Sequence, residues 1–231
     1  MKSIADPPQI KEKARSWGMD FKIILNLIAI GVIVLLPHAG LFPFFTYAIP
    51  ILLLTYFALR KSNEGFANIG FRWKQCTLKA VLVGGGVALL TVAFMLLVFH
   101  PLLESLIPLE YHDSGLTETL QESKVQFFIM VIMGWLIGGL YEEIVFHGFI
   151  FTRLEQLIQG RYATLIGFAI TALLFGGYHI QLGALGVVNA LVVGAVYLGL
   201  FIYFKRNLWY AIICHGVYNT TVMTLLYLGY L

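Results

Sequence analysis

Seven apolar stretches follow one another along this chain, near residues 21–37, 42–60, 78–100, 125–151, 162–179, 183–204 and 208–230. Each approaches or exceeds the roughly 20 helical residues that a bilayer requires. Hydrophobic residues make up 59% of the 231 and charged residues 12%, a charged share about half that of a soluble domain. Such a chain cannot clothe a soluble globule, and its solvent is lipid. In hydrocarbon every backbone N–H and C=O must be paired within the protein, so a spanning segment is a helix or a strand of a closed barrel. The stretches are apolar all round, without the alternation of a barrel strand. They predict an all-α fold, a polytopic membrane helix bundle of about seven transmembrane helices.

The loops test that count. Lys2, Lys11, Lys13 and Arg15 precede the first stretch; Arg60, Lys61, Arg72, Lys74 and Lys79 lie between the second and third. Arg153 and Arg161 lie between the fourth and fifth, and Lys205 and Arg206 between the sixth and seventh. The intervening loops carry almost no basic residues, and the one near 104–124 is acidic, with Glu104, Glu110, Asp113, Glu118 and Glu122. Every second loop is therefore basic, which places the N-terminus in the cytoplasm, the C-terminus outside, and the chain as an integral protein of the cell membrane. The polar start, with the first apolar run beginning only at Phe21, fits a signal anchor better than a cleaved leader. A net charge of +3 is no nucleic-acid signature; the expected partners are membrane lipid and a protein or peptide near the membrane. Cys76 and Cys214 are far apart and form neither a disulfide framework nor a CxxC site.

All seven prolines lie before Lys124. Beyond it small residues cluster, with Gly134, Gly138, Gly139 and Gly148 in one stretch and Gly167, Gly176 and Gly177 in the next. Small residues let membrane helices approach closely. The expected organisation is a cytoplasmic segment over 1–20, accessory transmembrane helices and loops over 21–123, and a tight four-helix core over 124–231 running without a proline kink.

Glu142 and Glu143 sit side by side in an apolar stretch. A carboxylate at bilayer depth costs about 2.5–3.5 kcal/mol on insertion scales and is a functional hypothesis by default; the bland reading, an ion pair between helices, fits one such residue better than two. His147 follows Glu143 by four positions, on the same helix face, while Glu142 points about 100° away. The pair so divides into one carboxylate for chemistry and one for support. His179 closes the fifth stretch, with Phe175 one turn before it as packing by default. His215 and Asn219 form a second i,i+4 pair; alone, they would read as a polar clamp between helices.

Together these groups are the parts of a hydrolytic site. A carboxylate shielded from bulk water can act as general base on a water, and imidazole and carboxamide groups can donate to an oxyanion. Glu142, His179 and His215 are equally competent ligands for zinc or another divalent metal, with a position left for water, although no HExxH is present.

At these residues the sequence resembles the CPBP intramembrane metalloproteases, also called the CAAX prenyl protease 2 family, with the bacterial Abi and lysostaphin-resistance-like proteins. The resemblance covers roughly residues 124–225 and rests on three motifs in order. They read Glu142-Glu143-Ile144-Val145-Phe146-His147, Phe175-Gly176-Gly177-Tyr178-His179 and His215-Gly216-Val217-Tyr218-Asn219, against the family's EExxxR, FxxxH and HxxxN/B. It implies a membrane endopeptidase. Glu142 would activate the water, Glu143 support it, His179 position water or substrate, and His215 with Asn219 stabilise the oxyanion, through either a metal-bound or a metal-free route. His147 stands where the family has arginine, a forked and permanently charged partner that imidazole replaces only in part.

That departure motivates an alternative reading, a non-catalytic immunity or partner-binding membrane protein of the same fold. A small transporter with a buried proton path ranks below both, for want of inverted repeats. Straight, level helices would place His179 about 27 Å and His215 about 12 Å from their cytoplasmic ends at ~1.5 Å per residue, so a shared site requires tilt or staggered ends.

Overall fold

The computed structural model describes the backbone of residues 8–43, 45–106 and 115–231, and side chains from Phe21 onward apart from Leu116. Lys2, Glu110 and Asp113 of the loop-charge pattern lie outside the described residues, as do the side chains of Lys11, Lys13 and Arg15. Among the described residues every regular element is helical. Helix α1 spans Pro8–Leu35, so the polar residues from 8 to 20 continue into the first apolar run. Helix α2 is Ala48–Lys61, and short 3-10 turns at Phe66–Ile69 and Trp73–Gln75 lead to α3, Leu78–Leu106. Next come α4, Leu116–Glu122; α5, Lys124–Ile158; α6, Ala163–Tyr178; α7, Gly183–Tyr203; and α8, Leu208–Tyr227.

Among the described residues four helices are long and apolar enough to cross a membrane: Phe21–Ala39, α3, α5 and a stretch over α7, Ile180–Tyr203. Of the seven expected spans, these four have the length and hydropathy of a crossing helix. Helix α2, at 14 residues, reaches about 21 Å, and α6, at 16 residues, about 24 Å, both short of the ~30 Å hydrocarbon thickness. Helix α8 has the length, but His215, Asn219 and three threonines lower its hydropathy.

The bundle is apolar on the outside. Leu82, Leu90, Leu97 and Leu165 are 65–77% exposed, whereas Glu142, Glu143, His147, Arg153 and His215 are buried. That inversion is how a protein dissolves in lipid, and with the four apolar helices it makes this an integral membrane protein.

Helices α5 and α8 run antiparallel at close range, and glycines set their register. A Cβ on Gly148 would meet the side chain of Leu208, one on Gly139 the backbone of Ile212 and Gly216, and one on Gly134 the side chains of Asn219 and Met223. Gly216 receives the Trp135 ring, whose Nε1 donates to Thr220 Oγ1 at 3.0 Å. Helix α3 packs along the far side of α8, with Gly84 against the Tyr210 carbonyl and Ile213.

The start of α8 is lifted relative to its neighbours. Leu208 lies beside Gly148, about 15 Å from the end of α5 at ~1.5 Å per residue. The α2–α3 connection holds it there. The Leu208 N–H donates to the Gly70 carbonyl at 3.2 Å, Asn207 Nδ2 to the Gln75 carbonyl at 3.2 Å and Trp209 Nε1 to the Arg72 carbonyl at 2.9 Å. Asn207 Oδ1 also caps the helix by accepting from the Trp209 N–H at 3.0 Å, which pairs a donor that every helix start leaves open. Charged contacts tie the same end together: the buried Arg153 to Glu64 at 2.5 Å, and Arg206 to Glu155 at 2.8 Å.

Candidate active site

The stagger of α8 brings the polar residues level. Seven residues above Leu208, His215 faces Glu142 and Glu143, which lie a similar distance beyond Gly148 on α5. On the other flank, Gly167 of α6 lies against Phe151 and Glu155, and the rise of α6 from that point carries His179 to the same height. All the residues singled out in the sequence gather in one cluster.

Glu143 is fully buried and accepts two hydrogen bonds. His147 Nδ1 lies 2.6 Å from its Oε2 and His215 Nδ1 lies 2.8 Å from its Oε1. The first is the i,i+4 contact expected from the spacing. His147 thus supplies a donor from the family's arginine position, although its Nε2 is buried without a hydrogen-bond partner among the described residues.

Glu142 is turned away from its neighbour, as the helical geometry requires. Its Oε2 lies 3.9 Å from His179 Nε2 and 3.9 Å from His215 Nε2. These separations are too long for direct hydrogen bonds and fit one intervening water. One imidazole, that of His215, therefore joins the two carboxylates, with Nδ1 toward Glu143 and Nε2 toward Glu142.

Both imidazoles are oriented by their other nitrogen. His179 Nδ1 donates to the Phe175 carbonyl at 2.8 Å, which leaves its Nε2 lone pair directed at Glu142 in the neutral ring. The Phe175 ring, fully buried, packs 4.8 Å from His179, 5.2 Å from His147 and 6.1 Å from His215 between centroids. Asn219 Nδ2 and His215 Nε2 converge over Gly138, where an added Cβ would stand 2.5 and 2.9 Å from them. Only a glycine leaves that space open.

The α5 segment that carries both glutamates, Gly134–Ile150, is wound wide with i→i+5 hydrogen bonding. Such turns are rare and recur at functional sites, and nothing in the apolar and glycine-rich sequence announced this one. The sequence reading also passed over Tyr197. Its ring is fully buried and stacks on His215 at 4.5 Å and 19°. A tyrosine on an apolar helix carries no signal until its neighbour is known.

The donors of Glu142, His179 and His215 are of the kind that bind zinc, and their second nitrogens are engaged as those of metal-bound histidines usually are. Their spacing does not fit. Tetrahedral zinc with bonds of ~2.0–2.1 Å holds its donors about 3.3 Å apart, closer than the 3.9 Å found here. Among the described residues no group of three or more His, Cys, Asp or Glu side chains is gathered tightly enough to hold a metal ion.

A buried carboxylate flanked by two oriented imidazoles, with a second carboxylate and an amide beside it, brings together inside a membrane bundle the kinds of group that hydrolytic chemistry uses. Residues 124–221 match the family model described as type II CAAX prenyl endopeptidase Rce1-like. That stretch contains every member of the cluster, and over it the chain is similar to the CAAX prenyl endopeptidases, a family of membrane proteases. Comparison with curated proteins gave no match, nor did comparison with solved structures.

Proposed function

We propose that this protein is an intramembrane endopeptidase that hydrolyses a peptide bond of a membrane-associated protein or peptide, with Glu142 as the base that activates water. The observation that supports it best is the pair of 3.9 Å separations from Glu142 Oε2 to the Nε2 atoms of His179 and His215. A water in that gap donates one proton toward Glu142 and the other to the His179 lone pair, leaving its own lone pair free to attack. As the carbonyl becomes tetrahedral its oxygen takes up negative charge. His215, protonated on both nitrogens and backed by Glu143, donates Nε2–H to it, and Asn219 Nδ2 supplies the second donor. Glu142 then passes the proton it took from water to the departing amine, so base and acid are the same group and the carboxylate is restored.

Glu143 is a positioning residue in this scheme. It balances the imidazolium of His215 and fixes the ring plane, while His147 holds Glu143 from the other side. No step is routed through a metal, given the misfit of the donor spacing. The basic end of the bundle, which carries Arg60, Lys61, Arg72, Lys74, Lys205 and Arg206, is assigned to the cytoplasm by the charge rule. The family's name makes a prenylated peptide ending in a CAAX sequence the first substrate to test. Purified protein in liposomes should cleave that peptide, with the new terminus mapped by mass spectrometry. An unprenylated peptide of the same sequence measures how far the lipid is read. Failure to cleave either peptide or any membrane-tethered variant would count against the reading.

A further inference from the structure

The connection between α2 and α3 holds the start of α8 with its backbone and turns its charged side chains outward. Arg72, Trp73, Lys74 and Lys79 are all exposed. The Trp73 ring, 71% exposed, rests against Trp209 and Phe71 with centroids 5.3 and 5.1 Å apart. Lys79 Nζ lies 6.0 Å from the Phe204 ring, which stacks on Tyr210 at 3.7 Å. Trp209 and Tyr210 are consecutive in the first turn of α8, so both ends of this surface meet that turn. Leu78 and Leu82, 72% and 65% exposed, continue it along one face of α3.

The charges at this end are unbalanced. Glu64 and Glu155 are already engaged, by Arg153 and Arg206. Arg72, Lys74, Lys79 and Lys205 form no ion pair among the described residues. Exposed lysines alone are ordinary, but here they share a surface with an exposed tryptophan and an apolar helix face. Tryptophan is favoured at headgroup level, where one side of the ring is apolar and the other wet. A phospholipid of net negative charge matches all three parts: its phosphate meets Lys74 and Lys79, its glycerol level meets Trp73, and an acyl chain lies on Leu78 and Leu82. A zwitterionic lipid brings a cation of its own against the lysines, and a soluble anion leaves the apolar part uncovered.

We propose that the 72–79 segment, with Leu82, is a binding surface for an anionic phospholipid, and that a lipid seated there steadies the start of α8 and so the height of His215. The carbonyls of Arg72 and Gln75, which accept from Trp209 Nε1 and Asn207 Nδ2, bracket Trp73 and Lys74 in the chain. Whatever grips those two side chains restrains the carbonyls that hold α8 in place. The lipid surface stands by itself, while its effect on catalysis rests on the endopeptidase reading above.

The test uses the full chain, in detergent with added lipid and in vesicles of phosphatidylcholine alone or of equal parts phosphatidylcholine and phosphatidylglycerol. Lys74→Gln combined with Lys79→Gln removes two exposed cations that form no ion pair in the protein. Arg60→Gln combined with Lys61→Gln removes as many from the end of α2 and is the matched control. Native mass spectrometry in detergent counts bound phosphatidylglycerol, and a melting temperature follows its effect on the fold. The native protein and the control should bind this lipid and melt higher with it. The double lysine variant should bind it about tenfold to thirtyfold more weakly, the worth of two cations near an anionic surface, and gain no stability. Cleavage of a membrane-tethered peptide should be about threefold or more faster in the mixed vesicles for the native protein and the control, and equal in both vesicles for the lysine variant. Equal losses in the two double variants would overturn the surface, leaving only the general charge of that end. Inorganic phosphate that raises the melting temperature as phosphatidylglycerol does would overturn it too, as a site for a soluble anion. Lipid binding with equal cleavage in both vesicles would overturn the link to α8. A native protein that the lipid stabilises but that cleaves nothing would leave the surface standing and remove the endopeptidase reading.

Discussion

His215 is the residue on which the site turns, since it bonds Glu143 through Nδ1 and faces Glu142 with Nε2 at 3.9 Å. Its orientation depends on the Glu143 hydrogen bond and on the Tyr197 stack at 4.5 Å. Replacing Tyr197 with Phe keeps the stack and should leave kcat within about threefold, whereas Tyr197→Leu should lower kcat by roughly tenfold or more with KM little changed, a loss of positioning rather than of binding. Steady-state kinetics on folded variants separate the two outcomes, and equal kcat for Phe and Leu would remove the stack from the account. Phe175 packs against three imidazoles, and Phe175→Ala should depress kcat likewise. Most of the site's members were legible as residues. Glu142, Glu143, His147 and His215 betray themselves as polar groups in apolar surroundings, and the i,i+4 spacing alone predicted the contact between Glu143 and His147. Tyr197 was not legible, because an aromatic residue in a membrane helix looks the same whether it faces lipid, a neighbour or a site.

The elements reach this geometry through the close crossing of α5 and α8. Gly138 is the point at which the crossing meets the chemistry. Gly138→Ala would push a methyl to within 2.5–2.9 Å of Asn219 Nδ2 and His215 Nε2, so both of the proposed oxyanion donors must move. Activity should fall by about a hundredfold or more, the scale of losing one such donor. Gly85→Ala and Gly86→Ala on α3, where an added Cβ meets nothing within 4 Å, should be tolerated. Comparable losses at all three glycines would show a general folding effect instead. The stagger of α8 depends on Asn207, which both caps the helix and bonds the Gln75 carbonyl. Asn207→Ala should cost about 1 kcal/mol, read as a lowered melting temperature in detergent. The helices were legible in the apolar runs, but this stagger was not, because it is fixed by carbonyls of the 66–76 connection, and backbone acceptors leave no trace in residue type. The same limit explains the difference in span count. Hydropathy runs through the ends of α2 and α6, while turns and 3-10 segments cut the helices short.

At the scale of the whole molecule, a bundle with its charges inside and its leucines outside is similar over residues 124–221 to type II CAAX prenyl endopeptidases, and in the proposed mechanism its base takes water directly. Cleavage should therefore persist after exhaustive treatment with a chelator such as EDTA or phenanthroline. Activity lost on chelation and restored by zinc would require a metal between Glu142, His179 and His215. The proposed mechanism depends above all on Glu142, and single-turnover cleavage of a membrane-tethered peptide by Glu142→Gln in liposomes decides whether it acts as the base. Glutamine keeps the size and loses the base, so the rate should fall by roughly 10²–10⁴-fold, the usual contribution of a general base, while melting temperature and membrane insertion match the native protein. A Glu142→Gln protein that cleaves at the native rate would contradict it.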